Sequence, residues 1–268
     1  MADPLKGLTI GFLGAGTMGQ ALIRGLVRAG VPRRRLAAAD VDRRAHAAAR
    51  RAGARVVSAA QLAREADVIV LAVKPQQMAE ALTGLAPSLR RSQRVISIAA
   101  GLTLRWLEAR LPGVAIVRAM PNLPATVGCG FTAIACGRRA GAKDLAVAGA
   151  IFAAAGSVHE LPERHFDAIT AVSGSGPAYV FWLVDAWEQA AARLGLPSGI
   201  AREAIHRTLA GSSQLLEQDA PAEELVRRVA SKGGTTEAAL RVFGKRRMAA
   251  TVSEALQAAA RRSRQLSR

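Results

Sequence analysis

The chain has 268 residues, half of them apolar, and 37 Lys and Arg against 20 Asp and Glu give a net charge of +17. That length can bury a large core and commonly divides into two domains, while no apolar run approaches the ~18–20 residues of a membrane span. Residues 1–7 lack the layout of a signal peptide. Two cysteines, Cys129 and Cys136, and four scattered histidines offer neither a disulfide scaffold nor a metal-ligand spacing. A cytoplasmic enzyme without a bound metal and without membrane contact is the expectation.

The charge is uneven. Residues 1–160 hold 22 Lys and Arg against 9 Asp and Glu, and residues 161–268 hold 15 against 11. The basic residues are mostly single or paired arginines in an alanine-rich chain without a nucleic-acid-binding motif. The excess lies in the half where a phosphate-bearing ligand is expected, but its spread resembles a compositional bias with solvated faces more than a nucleic-acid surface.

In chain order, Leu8 to Leu13 is an apolar run ending in Gly14-Ala15-Gly16-Thr17-Met18-Gly19, and a helix follows as far as Gly30. A strand at Leu36–Asp40 and a helix at Arg43–Ala52 complete the order that a dinucleotide fingerprint requires. Gly14 permits the tight turn, Gly16 admits a pyrophosphate, and Gly19 lets the helix pack close to the strand. Asp40 closes the second strand, where a carboxylate accepts from the ribose 2′-hydroxyl of NAD. Arg43 and Arg44 at the same edge would meet the 2′-phosphate of NADP, so the cofactor choice stays open.

Val68 to Val73 is a continuous apolar run, as a parallel strand covered on both faces should be, and Lys74-Pro75 ends it. Lys74 sits at the strand end that faces ligands in open α/β sheets, and reads either as a site residue or as a solvated lysine. Further strands are expected at residues 95–99, 115–119, 131–135 and 157–161, with helices near 76–86, 104–111 and 142–155. In the loop Met120-Pro121-Asn122, Asn122 can hold the nicotinamide amide or form an Asx turn beside proline.

The strand pattern stops near Leu161-Pro162, dividing the chain into residues 1–160 and 161–268. A helix-compatible stretch at 167–172 meets Ser173-Gly174-Ser175-Gly176-Pro177, and a helix follows at 178–194. Its apolar residues occupy more than one face, which suits either a core helix or a dimer interface. Helices are expected near 200–217 and 221–230, then from Thr236 with an interruption at Gly244, and last from Arg246 to Arg264. Between them lies Ser231-Lys232-Gly233-Gly234-Thr235-Thr236. Two glycines there bring backbone close to a ligand at a helix N-terminus, an anion site with three hydroxyls nearby. A Gly-Gly turn with a threonine cap is the plainer reading.

Taken together, Gly11 to Gly19, Ala72-Val73-Lys74-Pro75, Ala119-Met120-Pro121-Asn122, Val172 to Tyr179 and Ser231 to Thr236 resemble the Δ1-pyrroline-5-carboxylate reductase family over nearly the whole chain. The resemblance implies an α/β fold: an N-terminal Rossmann domain with a doubly wound, mostly parallel sheet, and a C-terminal all-helical dimerisation domain. Some members assemble their homodimers into decamers. It also implies hydride transfer from NADPH or NADH to the imine of 1-pyrroline-5-carboxylate, giving L-proline. Ser231, Gly233, Gly234, Thr235 and Thr236 would bind substrate, its carboxylate on backbone N–H groups and its ring nitrogen at the Thr236 hydroxyl. Fingerprint, strand ends and resemblance together assign Gly14, Ala15, Gly16, Thr17, Met18, Asp40, Arg43, Ala72, Val73, Lys74 and Asn122 to the cofactor.

Three positions depart from the family pattern. Lys232 stands where proline is usual, Val226-Arg227 where a basic residue and aspartate are common, and Ala59 where many members have asparagine. Two other readings remain. One is a reductase of the same fold for another imine or a keto acid. The other is a non-catalytic protein that binds NAD(P) or nucleic acid.

Overall fold

The apolar runs Ile10–Leu13 and Val68–Leu71 become neighbouring strands of a single sheet. The computed structural model describes residues 3–218 and 221–267. Its sheet and surrounding helices alternate along the chain as β1 (Ile10–Leu13), α1 (Thr17–Arg28), β2 (Leu36–Ala39), α2 (Arg43–Ala52), β3 (Arg55–Val56), α3 (Ala59–Glu65), β4 (Val68–Leu71), α4 (Met78–Leu85), β5 (Arg94–Ser97), α5 (Leu104–Arg110), β6 (Ala115–Pro121), β7 (Gly130–Cys136), α6 (Ala142–Ala153) and β8 (Gly156–Glu160). The strands lie in the order β3-β2-β1-β4-β5-β6-β7-β8. All neighbours run parallel except β6 and β7. The doubly wound, mostly parallel sheet expected from the sequence is the one observed.

Alternation along the strands feeds two cores. Ile10, Phe12, Val68 and Val70 point to the face covered by α1 and α6, against Leu22, Ile23, Leu26, Ile151 and Phe152. Leu13, Ile69 and Leu71 point to the other face, against Leu62 of α3, Met78, Leu82 and Leu85 of α4 and Leu107 of α5. Each such side chain contributes about 1.5–3 kcal/mol when fully buried. Gly11 belongs to the second face and has no side chain because α3 lies too close, a Cβ there falling 2.8 Å from Leu62.

The remainder is helical: α7 (Phe166–Ile169), a π turn at Thr170–Gly174, α8 (Gly176–Arg193), α9 (Ser198–Leu216), α10 (Ala222–Val229), α11 (Thr235–Lys245) and α12 (Met248–Leu266). Gly244 does not interrupt its helix, contrary to expectation; it lies inside α11. The break comes at Arg247, whose φ of 52° turns the chain between α11 and α12. A single glycine weakens a helix without stopping it, whereas a left-handed residue must end one.

The chain forms two compact units. The first runs to Pro177 and takes in the chain from Ala259 onward; the second is residues 178–258. In the first, the end of α12 is fixed to α7: the Ser263 hydroxyl donates to Asp167 at 2.7 Å, and Arg264 lies 3.8 Å from the same carboxylate. In the second, the apolar residues that are buried among those described are Ala191, Ala201 and Ile205.

Candidate functional site

The three glycines of the turn after β1 differ in their surroundings. Gly14 has φ of 101°, and a Cβ there would sit 2.6 Å from the Ala72 carbonyl oxygen. A Cβ at Gly19 would sit 2.7 Å from the Gly14 carbonyl oxygen, whereas at Gly16 it would meet nothing within 4 Å. Two glycines therefore serve packing, and the exposed Gly16 leaves its surface open to a ligand. Gly16 also caps α1, which has no side-chain cap and no acidic residue in its first turn. The first-turn N–H groups of α1 and the positive end of its dipole are thus available to an anion. These features fit the pyrophosphate of a dinucleotide. Ala15, Thr17 and Met18 build this turn; Met18 packs on the core beneath it.

Asp40, at the end of β2, holds the turn in place. Its carboxylate accepts from Ala15 N at 2.7 Å through one oxygen and from Asp42 N at 2.8 Å through the other. Asp42 then caps α2 by accepting from Arg44 N at 2.8 Å. Beyond Asp40 the edge is open: Val41 is 95% exposed, and Arg43 and Arg44 are exposed and make no ion pair among the described residues.

Ala72 and Val73 follow β4 directly beside Gly14, the Ala72 N–H donating to Leu13 O at 2.7 Å. Lys74 is exposed at this same carboxyl edge and starts the helical turn at Pro75–Gln77. Asn122, after β6, has both ends of its amide engaged. Its oxygen accepts from Phe131 N at 2.9 Å, and its nitrogen donates to Ser173 Oγ at 3.0 Å. The side chain therefore joins the end of β6 to the π turn, and each end of the amide keeps one further bonding position. Ser173, which sequence reasoning left without a role, is brought to the sheet edge by this bond. A π turn is itself a common mark of functional backbone.

The second group of residues lies in the other unit. Gly233 has φ of 73°, and Gly234 N donates to Ser231 O at 3.0 Å, closing a tight turn into α11. A Cβ on Gly234 would press on the Ser231 hydroxyl, which can turn away, and would sit a tight 3.1 Å from the Ser231 carbonyl oxygen. Gly234 caps α11 without a side-chain bond, leaving the N–H groups of Thr235, Thr236 and Glu237 free of helical partners. Gly233 N donates to Glu237 Oε2 at 2.5 Å. Thr236 is half-buried and its hydroxyl has no partner among the described residues. Lys232 is exposed and unpaired in the same sense. The loop thus offers backbone donors for an anion and one uncommitted hydroxyl beside them.

Comparison with known proteins adds the following. Residues 163–266 match the family described as pyrroline-5-carboxylate reductase dimerisation, and residues 9–101 match NADP oxidoreductase, coenzyme F420-dependent. The pyrroline-5-carboxylate reductase of Pseudomonas aeruginosa is 41% identical over 262 residues, covering 96% of each chain. The pyrroline-5-carboxylate reductase of Coxiella burnetii superposes with a TM-score of 0.90 at 32% identity, over 97% of this chain and 99% of that one. The pyrroline carboxylate reductase of Plasmodium falciparum, solved with NADP bound, gives 0.89 at 30% identity, over 98% and 99%.

Proposed function

The chain belongs to the pyrroline-5-carboxylate reductase family, and from that membership we propose that it reduces 1-pyrroline-5-carboxylate to L-proline, the last step of proline synthesis. The observation that carries the reading is the loop at the start of α11. It combines free backbone donors for a small carboxylate with a Thr236 hydroxyl that has no partner among the described residues. A helix N-terminus receives such an anion without a buried lysine or arginine.

A reduced nicotinamide held there would supply the hydride for the imine carbon, the ring nitrogen becoming an amine. Thr236 holds that nitrogen by a hydrogen bond, and Ser231, Gly233, Gly234 and Thr235 complete the carboxylate seat. A substrate arriving as its iminium already carries the proton, so no histidine is required. Fixing the imine against the reductant is then the main contribution, a term that reaches about 7–11 kcal/mol in well-oriented systems.

Gly14, Ala15, Gly16, Thr17, Met18, Ala72, Val73 and Lys74 form the cofactor surface in this reading. Asp40 keeps the glycine turn in shape, and Asn122 acts through the backbone it braces. Two features support NADPH over NADH: the Asp40 carboxylate is engaged by two backbone N–H groups, and Arg43 and Arg44 have no acidic partner among the described residues. As a functional division we retain residues 1–160 for the cofactor and 161–268 for dimerisation and substrate. The working unit is a homodimer, with a decamer as its larger assembly and the cytoplasm as its compartment. A nucleic-acid role gains no support, the basic residues forming no recognisable binding motif.

The test is loss of reduced-nicotinamide absorbance when purified protein meets 1-pyrroline-5-carboxylate, with a panel of other imines and keto acids alongside. Absence of turnover with both NADPH and NADH refutes the reading. Thr236→Ala should lower kcat about ten- to hundredfold, the range for one hydrogen bond to a charged group. The KM for NADPH should stay within about twofold, on the same reasoning that the hydroxyl touches substrate alone.

A further inference from the structure

We propose that Glu237 occupies part of the substrate's own seat and sets how tightly substrate binds, by stepping aside onto Arg241. The inference rests on the reading that the loop at the start of α11 receives the substrate carboxylate. Of the loop's N–H groups, Gly234 N is committed to Ser231 O. Thr235 N and Thr236 N have no helical partner. Gly233 N is taken by Glu237, whose carboxylate oxygen lies 2.5 Å away. A side-chain carboxylate therefore sits on one of the donors that a ligand carboxylate would use.

The geometry also supplies the place to which Glu237 retreats. Its other oxygen is already 3.2 Å from Arg241 Nη2, one helical turn further along and largely exposed. A change of side-chain torsion can move the whole carboxylate from Gly233 N to the guanidinium without breaking helix hydrogen bonds. Substrate binding then exchanges one carboxylate for another at Gly233, and the displaced charge remains paired. A seat that is filled for part of the time weakens apparent affinity by the fraction left open. Two carboxylates at one N–H repel, so Glu237 also disfavours anions too weak to displace it.

This arrangement makes Glu237 and Arg241 act in opposite directions, although they are bonded to each other. Glu237→Ala empties the seat and should lower the KM for 1-pyrroline-5-carboxylate roughly three- to tenfold, the value of one hydrogen bond. Glu237→Gln keeps an acceptor for Gly233 N but removes the charge, and should lower KM by a smaller factor. Arg241→Gln removes the retreat and should raise KM by a similar roughly three- to tenfold. The KM for NADPH should move in none of them.

The measurements are steady-state KM for both substrates, calorimetric binding of L-proline as a non-reacting carboxylate, and thermal unfolding of each variant. Tighter L-proline binding in both Glu237 variants with weaker binding in Arg241→Gln supports the proposal. If Glu237 served only as a helix-end stabiliser, all three variants would lose thermal stability and KM would rise or stay level in each, and that result overturns it. Thr236→Ala separates the two layers of the argument. If it lowers kcat while the Glu237 variants leave KM unchanged, the displacement mechanism alone fails. If it changes neither kcat nor L-proline binding, the loop is not the substrate site and the function assigned to it fails as well.

Discussion

Asp40 stands where a carboxylate acting on an adenosine ribose would stand, yet both its oxygens receive backbone N–H groups, from Ala15 and Asp42. Asp40→Ala strands those two donors, at about 1–3 kcal/mol for each that stays unsatisfied. Thermal unfolding should show that loss, and NADPH fluorescence titration should show weaker binding without any shift in favour of NADH. The selectivity itself should lie in Arg43 and Arg44. Replacing both with alanine should lower kcat/KM with NADPH about ten- to hundredfold, as loss of a charge-assisted hydrogen bond implies, and leave NADH within about threefold. An equal loss with both cofactors would place the 2′-phosphate elsewhere. Lys232, the loop's departure from family pattern, is exposed, and nothing in the structure explains it.

At the scale of elements, the break between α11 and α12 gives a stability prediction. Arg247 takes a left-handed conformation at the position after a helix end that glycine commonly fills, its N–H bonded to Gly244 O at 2.9 Å. The left-handed region costs a residue with a Cβ about 1–2 kcal/mol, part of which glycine returns to the unfolded chain. Arg247→Gly should therefore raise stability by about 0.5–1 kcal/mol, read as a higher denaturant midpoint at unchanged slope. A lower midpoint would mean that the arginine side chain contributes more than its backbone loses. The same break shows what was legible in the sequence and what was not. Parallel strands with both faces covered are written as unbroken apolar runs, so β1 and β4 could be found from their side chains alone. The turn at Gly14–Gly19 was legible because its glycine spacing follows directly on an apolar strand and opens a helix. β3 is two residues long and carries no period. α3 was missed although Ser58 caps it by accepting from Gln61 N at 3.1 Å, a Ser-x-x-Gln start that signals a helix. The role of Asn122 could not be read locally, because its bond to Ser173 joins residues 51 apart in the chain. Gly233 was legible as a donor, but its capture by Glu237 depends on a rotamer, which a sequence does not specify.

For the whole molecule, the second unit poses a question of burial. Residues 178–258 expose Val180, Phe181, Leu183 and Trp187 on α8, with Trp182 at 67%, and Ile200, Leu215 and Leu216 on α9. α11 adds Val242 and Phe243, and α12 adds Met248 and Val252. A monomer rarely leaves contiguous apolar patches of more than a few hundred Å² in water. Ala191, Ala201 and Ile205, the buried apolar residues among those described, cannot hold such a helical unit together against its chain entropy. The match of residues 163–266 to a dimerisation family supports a dimer, and a second copy of the chain would cover these residues. Folding and association are then one equilibrium, and stability must depend on protein concentration. For a dimer of this size a hundredfold increase in concentration should raise the thermal midpoint by about 2 °C, from ~2.7 kcal/mol of mass action against the summed unfolding entropy of two chains. Trp182→Glu places a charge in the covered face, and should lower the midpoint, abolish the dimer in sedimentation and remove reductase activity together. A midpoint independent of concentration, with a monomer in sedimentation and full activity, would show that the helical unit covers its own apolar faces and that the site needs no second copy.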